Sequence, residues 1–401
     1  MMMCKCTDEL SEMWPTILSR CQAIPILYIN EKTHYDFGFH MGRTFGAIIN
    51  DFLLLSASLN YDYLPLYNTS EGKKVYDATL VSVTESFPQY IRELEGIADG
   101  ARVDFHKLFL LHMDEILPKS LSKTNTINGK QPIGCSTIIL NSDNDRILGH
   151  TEDALTETLN NYYIVVAHII NDSPQGKYQV QEERFTSLCY AGHLPGYTMS
   201  YNHHGLVFTI NTLHAEYLRG GHTPRHFISR ALLAAENFDQ ALSVLKDQGV
   251  GAGDGCSINM VFLKSDNKTC YNIEMAPVVD DERESRLDIK EIPLGASYYH
   301  TNKYEHMDIE QEGGYMLASS VSRMHTFEKY KIPKCKNDIG DMLSDRTGGE
   351  HCVFRDNGQA DELVKTIAVG IFDLNAKTYE LYSDMPKTNK PLVTLPLILK
   401  E

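Results

Sequence analysis

Apolar positions in the first third of the chain recur at helical spacing. Leu53 and Leu55 follow a stretch of small and apolar residues from Gly42 to Phe52. Pro88, behind Ser86, opens a helix through Tyr90, Ile91 and Leu94 towards Gly100. Asp104 opens another, with Phe105, Leu108, Phe109 and His112 on one face. This third therefore reads as a helical lobe or layer. Between Pro118 and Gly134 the pattern stops: Lys119, Ser120, Ser122 to Thr126, Asn128, Gly129 and Lys130 make a polar stretch that predicts an exposed loop. From Cys135 the character turns to strand. Thr137–Leu140, a polar turn Asn141–Asp145 and Arg146–Thr151 predict a hairpin, and Tyr162–Ile170 and Leu206–Asn211 are further β-rich runs. Thr223 as cap and Pro224 in the first turn predict a helix with Ile228, Ala231, Leu232 and Ala235 on one face, and a second helix surrounds Ala241–Leu245. Ile258–Leu263, Cys270–Met275, Thr366–Asp373 and Thr378–Tyr382 return to strand. Helices outside and mostly antiparallel strands inside fit a layered α/β sandwich.

A chain of 401 residues, 42% apolar and 22% charged, can bury a large core in one or two domains. No apolar run approaches the roughly 18 to 20 residues of a membrane span. Met1 to Trp14 has neither the basic start nor the apolar stretch of a secretory signal, which predicts a cytoplasmic protein. The net charge of −16 argues against nucleic acid and anionic membranes as partners and is compatible with a cationic small substrate. The 9 cysteines show no paired CxxC spacing, so they read as reduced core residues, and no metal is expected. The glycine-rich segment Gly249 to Gly255 has a helix before it and a strand after it, the reverse of a dinucleotide loop, and reads as a plain connection. His106 and His112 lack the four-residue spacing of ligands on one helix face; with His203 and His204 they read as core or surface histidines.

Gly134-Cys135-Ser136 differs by its position, where the polar loop meets the first core strand. Alone, the pair reads as a buried cysteine opening a strand. It belongs, however, to an ordered series: Gly134-Cys-Ser-Thr, Gly149-His-Thr-Glu-Asp153, Ala191-Gly-His-Leu-Pro-Gly-Tyr197, Gly205 to Asn211, Thr223-Pro-Arg-His226, Asn272-Ile-Glu-Met-Ala-Pro277 and His300-Thr-Asn302. Gly38 to Gly42 and Lys365 to Asp373 support it. In order and spacing these blocks resemble the isopenicillin N acyltransferase-related family of cysteine N-terminal-nucleophile hydrolases, over nearly the whole chain.

The resemblance implies a four-layer αββα sandwich of mostly antiparallel sheets. It implies a precursor that cuts itself between Gly134 and Cys135 into a helical part, 1–134, and a catalytic part, 135–401, which stay together as a heterodimer or a higher oligomer of it. Glycine suits the residue before the cut because attack on its carbonyl needs close approach and unusual backbone geometry. The freed α-amine, with a reference pKa of about 7.7 to 8.0, then serves as general base to its own thiol. By the same likeness, Asp153 fixes the amine, Asn302 stabilises the oxyanion through its side-chain amide, and the Asn211 backbone N–H is a candidate second donor. Glu152 and Glu274 are candidates to attract a substrate ammonium group, or else members of local salt bridges. Where the family carries an arginine near the last large strand, this chain has Leu363. Lys365, on the same strand face, and the more distant Arg355 are the possible substitutes. The implied reaction is hydrolysis of β-alanyl amides of biogenic amines, such as β-alanyl-dopamine and β-alanyl-histamine, through a thioester and without a cofactor. An acyltransferase of the same fold and an uncleaved binding relative are the rival readings.

Overall fold

The Thr33 hydroxyl accepts the Asp36 N–H and so starts the longest helix, which follows a short strand. In the computed structural model, which describes residues 20–121, 134–356 and 363–400, strand β1 (Ile26–Glu31) precedes a run of helices. These are α1 (His34–Leu55), a π-helical turn (Ser58–Tyr63), α2 (Leu64–Tyr67), α3 (Ser70–Ser86), α4 (Pro88–Ala101), α5 (Phe105–Leu111) and α6 (Ile116–Ser120). Strands β2 (Gly134–Asn141), β3 (Arg146–Leu155), β4 (Tyr162–Gln175), β5 (Val180–Tyr190), β6 (Ser200–Asn202) and β7 (Leu206–Leu213) follow. Helices α7 (Arg225–Leu232) and α8 (Phe238–Lys246) lead into β8 (Gly255–Phe262), β9 (Cys270–Ala276), β10 (Arg286–Ile292) and β11 (Ala296–His300). The chain ends with α9 (Tyr315–Lys329), α10 (Lys336–Leu343), β12 (Val364–Asp373), β13 (Thr378–Tyr382) and β14 (Val393–Pro396).

Two sheets form, in the orders β1-β4-β5-β6-β7-β8-β9-β10 and β11-β2-β3-β12-β13-β14. Every pairing is antiparallel except β1 with β4. Across the interface the Tyr162 hydroxyl reaches the Ile367 carbonyl at 3.1 Å, and Thr137 bonds Asn211 at 2.9 Å. Helix α1 covers the outer face of the larger sheet, where Phe45 stacks on Tyr163 at 3.7 Å and Phe37 meets Phe185 edge-on. Phe327 of α9 and Ile339, Met342 and Leu343 of α10 pack on Ile138, Ile147, Val369 and Ile371 of the smaller one. The architecture is thus αββα. Among the described residues no helix is long and apolar enough to cross a membrane.

Alternation along the strands puts apolar side chains outward, beneath the helices, and polar ones into part of the space between sheets. There Thr137, Thr209, Asn211, Ser257, Asn259 and Asn272 are all buried and joined by hydrogen bonds. On the outer side α1 and α4 touch backbone to backbone. A Cβ at Gly38 would lie 2.0 Å from the Glu93 carbonyl oxygen, and one at Gly96 would lie 2.2 Å from that of Tyr35.

Three expectations need correction. The first third is not purely helical, because β1 completes the edge of the larger sheet in register with β4. Thr223 does not cap α7; its hydroxyl donates to Asp247 at 2.6 Å, and Pro224 holds the cap position. Lys119 and Ser120 belong to α6 and Gly134 to β2, so only the middle of the expected loop, 122–133, lies outside the described residues. The Gly249–Gly255 segment joins a helix to a strand as expected, with Gly249 and Gly251 at φ 102 and 78.

Candidate active site

The β2–β3 hairpin sets Gly134 opposite Asp153 and Cys135 opposite Glu152. Strand β12 adds Thr366 opposite Asp153 on the other side. Asn302, just after β11, and Arg323, from α9, close the arrangement, and all of these side chains are buried.

The Cys135 N–H donates to Asn302 Oδ1 at 2.8 Å, while Asn302 Nδ2 points at the Cys135 sulfur from 3.6 Å and donates to the Thr212 carbonyl at 2.9 Å. Arg323 braces both residues. Its Nη2 donates to Asn302 Oδ1 at 2.8 Å, and its Nη1 to the Cys135 carbonyl and to Ser136 Oγ. Asp153 Oδ1 accepts the Thr366 hydroxyl at 2.6 Å. Asp153 Oδ2 has no hydrogen-bond partner among the described residues; it lies 3.3 Å from the position of a Cβ on Gly134, with Arg355 Nε 3.6 Å away. A buried carboxylate oxygen thus stands open beside the Gly134–Cys135 bond.

The charges explain the proton affinities. Burial first, then the Glu152 and Asp153 carboxylates, pushes the Cys135 thiol above its ordinary value; donors from the Thr212 backbone and Asn302 oppose this. Burial and then the neighbouring Arg355 bring the Arg323 guanidinium down to about 10. Burial also raises Glu152, against hydrogen bonds from His150, at 3.1 Å, and from the Tyr190 hydroxyl. One donor atom each of Cys135, His150 and Glu152 lie within 4.8 Å of one another, the only such group of possible metal ligands among the described residues. The hydrogen bonds between His150 and Glu152 and on to Tyr190 account for their closeness without an ion.

The remaining candidates fall elsewhere. Glu274 accepts His300 Nε2 at 3.0 Å and the backbone N–H groups of Glu305, His306 and Met307 at 2.6, 3.2 and 2.9 Å. Burial raises its carboxyl, but these donors outweigh it and hold the carboxyl below its ordinary value. Glu274 therefore clamps the loop that follows Asn302. Asn211 spends its Oδ1 on Thr137 and Asn259, and the backbone group that reaches the Cys135 sulfur belongs to Thr212, one residue on. Lys365 lies on the opposite face of β12 from Thr366 and pairs with Asp356 at 2.8 Å, away from Asp153. The guanidinium groups near the site are those of Arg355 and Arg323. Arg323 escaped the reading of the sequence; the signal was the helix face Ser319, Ser320, Arg323, Thr326, Phe327, where one arginine sits among small, buried positions. His106 stacks on Tyr67, and His112 is buried with both ring nitrogens engaged. His203 contacts the Arg184 carbonyl, and His204 lies against it in the β6–β7 turn.

A thiol whose own backbone nitrogen is held by an amide, beside an open carboxylate and two guanidinium groups, is equipped for acyl transfer. Residues 140–388 match the family described as acyl-coenzyme A:6-aminopenicillanic acid acyl-transferase. The beta-alanyl-dopamine/carcinine hydrolase of Drosophila melanogaster is 61% identical over 384 residues, covering 96% of this chain and 99% of that protein. Among solved structures, a mutant conjugated bile acid hydrolase from Clostridium perfringens matches with a TM-score of 0.36 and 10% identity, over 67% of this chain and 98% of that one. With a family match over residues 140–388, more than half of the chain, and a relative aligned almost end to end, the chain belongs to the acyl-coenzyme A:6-aminopenicillanic acid acyl-transferase family.

Proposed function

We propose that the chain is a self-processing cysteine amidohydrolase that cleaves β-alanyl conjugates of biogenic amines, β-alanyl-dopamine and β-alanyl-histamine among them, to β-alanine and the free amine. The observation that carries the substrate class is the relative that shares 61% of its residues and is named for hydrolysis of beta-alanyl-dopamine and carcinine. In the first step the Cys135 thiol adds to the Gly134 carbonyl, the peptide nitrogen takes a proton and leaves, and water hydrolyses the resulting thioester. This frees a carboxylate on Gly134 and the α-amine of Cys135. The nitrogen now held by Asn302 becomes that amine, and the open Asp153 oxygen is its counter-charge. The two products are 1–134 and 135–401, held together as a heterodimer.

In turnover the amine takes the thiol proton, the sulfur attacks the substrate carbonyl, and the developing oxyanion meets the Asn302 amide. The leaving amine receives the proton, and water then releases β-alanine from the thioester. Glu152 is the anchor for the β-alanyl ammonium group. That nitrogen is three bonds from the carbonyl carbon, on the order of 4 Å, and Glu152 offers an oxygen within 4.8 Å of the Cys135 sulfur. All seven described cysteines are free thiols, which supports a reducing, cytoplasmic setting.

Product analysis tests the reading. Incubation with β-alanyl-dopamine should yield equimolar β-alanine and dopamine. Faster transfer of the β-alanyl group to a competing amine than to water would make the protein an acyltransferase instead.

A further inference from the structure

Behind Cys135, the helical layer and the larger sheet enclose a group of rings. His112, His193 and His226 lie with centroids 5.2 to 5.5 Å apart. Tyr197 stacks on His226 at 3.9 Å, and Tyr190 meets His193 edge-on at 5.7 Å. Both tyrosines adjoin the nucleophile's surroundings: the Tyr190 hydroxyl donates to Glu152, and that of Tyr197 lies 2.7 Å from Oγ1 of Thr212, whose backbone touches the Cys135 sulfur.

The three histidines differ in what they leave open. His112 contacts the Leu108 carbonyl through Nδ1 at 2.7 Å and accepts the Leu194 N–H at Nε2, so it is satisfied. His193 uses Nδ1 on the Ala191 carbonyl at 3.1 Å. His226 turns Nε2 towards the Asp114 carboxylate, 3.9 Å away, and its Nδ1 has no hydrogen-bond partner among the described residues, although only 2% of the residue is exposed. Buried polar atoms are nearly always satisfied, so an open ring nitrogen in this position suits a polar ligand atom. His193, Tyr190 and Tyr197 keep 7, 8 and 6% exposure whereas His112 has none, which places accessible space on their side of the group. Burial holds His193 down to about 3 and lowers His226, so both are neutral near pH 7, each with one N–H and one lone pair.

We propose that His193 and His226 read the polar edge of the leaving amine's aromatic ring, a catechol hydroxyl or an imidazole nitrogen, and so set the preference among arylethylamine conjugates. The stacked tyrosine supplies the face and the imidazoles the directional bonds. This inference rests on the hydrolase reading above.

The test measures kcat/KM of the self-processed, full-length protein for β-alanyl-dopamine, β-alanyl-histamine and β-alanyl-phenethylamine, the last having no polar ring atom. The natural protein should favour the first two by about tenfold or more, as expected of a site that leaves buried groups unpaired against the wrong ligand. His226→Phe keeps the stacking and should bring that ratio towards one. His193→Phe should do the same and decides the matter if the first variant does not fold. A ratio near one in the natural protein, or an unchanged ratio in active variants, overturns the inference while leaving the hydrolase reading in place. No hydrolysis of any of the three conjugates would overturn that reading and this inference with it.

Discussion

Asn302 joins the nitrogen and the sulfur of Cys135, its oxygen on the first and its amide towards the second, and Arg323 holds that oxygen in place. Asn302→Ala should lower kcat by about 10²- to 10³-fold, the usual loss for one oxyanion donor, with the circular dichroism spectrum unchanged. Glu152 carries a cost that pH exposes. Burial raises its carboxyl above the ordinary 4.5, so the folded chain binds its proton more tightly than the unfolded one. That contribution to stability is present at low pH and lost as pH rises through the raised value. Glu152→Gln should therefore raise Tm near pH 7, lose that advantage near pH 4, and increase KM for a β-alanyl substrate about tenfold or more by removing the charge partner. Thermal scans at the two pH values and Michaelis curves check both signs. Arg323 was out of reach of sequence reasoning because its role arises only when α9 docks on a strand 188 positions away in sequence. Lys365 misled for the opposite reason: its face was counted from Leu363, which precedes β12, whereas the side chain that meets Asp153 is that of Thr366, and one position reverses a side chain's direction.

At the level of elements, the loop after β11 keeps its shape because Glu274 gathers three successive N–H groups from 305–307. Glu274→Ala should loosen that loop and with it Asn302. The expected result is a kcat about tenfold lower with KM little changed, because Glu152, the proposed ammonium anchor, is untouched; a rise in KM alone would instead mark Glu274 as a substrate contact. Strands β2, β3, β4, β7, β8, β9, β12 and β13 were legible because β-branched and aromatic runs are bounded by polar turns, whereas β5, β6, β10 and β11, shorter or more polar, were not. Helix α4 was equally plain, with Pro88 at its first position. Strand β1 was not, since a six-residue segment acquires its identity only from its parallel pairing with β4, more than a hundred residues on. The close contact of α1 and α4 is likewise a tertiary fact, made possible by glycines at Gly38, Gly42, Gly96 and Gly100. Gly96→Val would drive a side chain into the α1 backbone, and the variant should be recovered mainly as insoluble protein.

For the whole molecule, the two proposed products are bound by more than packing. Arg230 of α7, fully buried, bridges Glu93 of α4 and Glu183 of β5, with His34 of α1 at 2.9 Å from Glu93 and the Tyr90 hydroxyl on Glu183. Arg230→Met would leave two buried carboxylates without their cation, a loss of about 3 to 5 kcal/mol, and denaturant unfolding should show the drop. With this network and the β1–β4 ladder intact, 1–134 should stay with 135–401 through gel filtration after the chain is cut. The layered architecture followed from the alternation of helices and strands along the chain, whereas the proposed cut rests on one Gly-Cys junction whose meaning came from its family and its neighbours. The most direct measurement is therefore intact-mass analysis, with N-terminal sequencing, of active protein purified from the 45.4 kDa chain. Two fragments, the larger beginning Cys135-Ser136-Thr137 and both absent in Cys135→Ala, are the predicted result. A single full-length chain that hydrolyses its substrate would contradict the account.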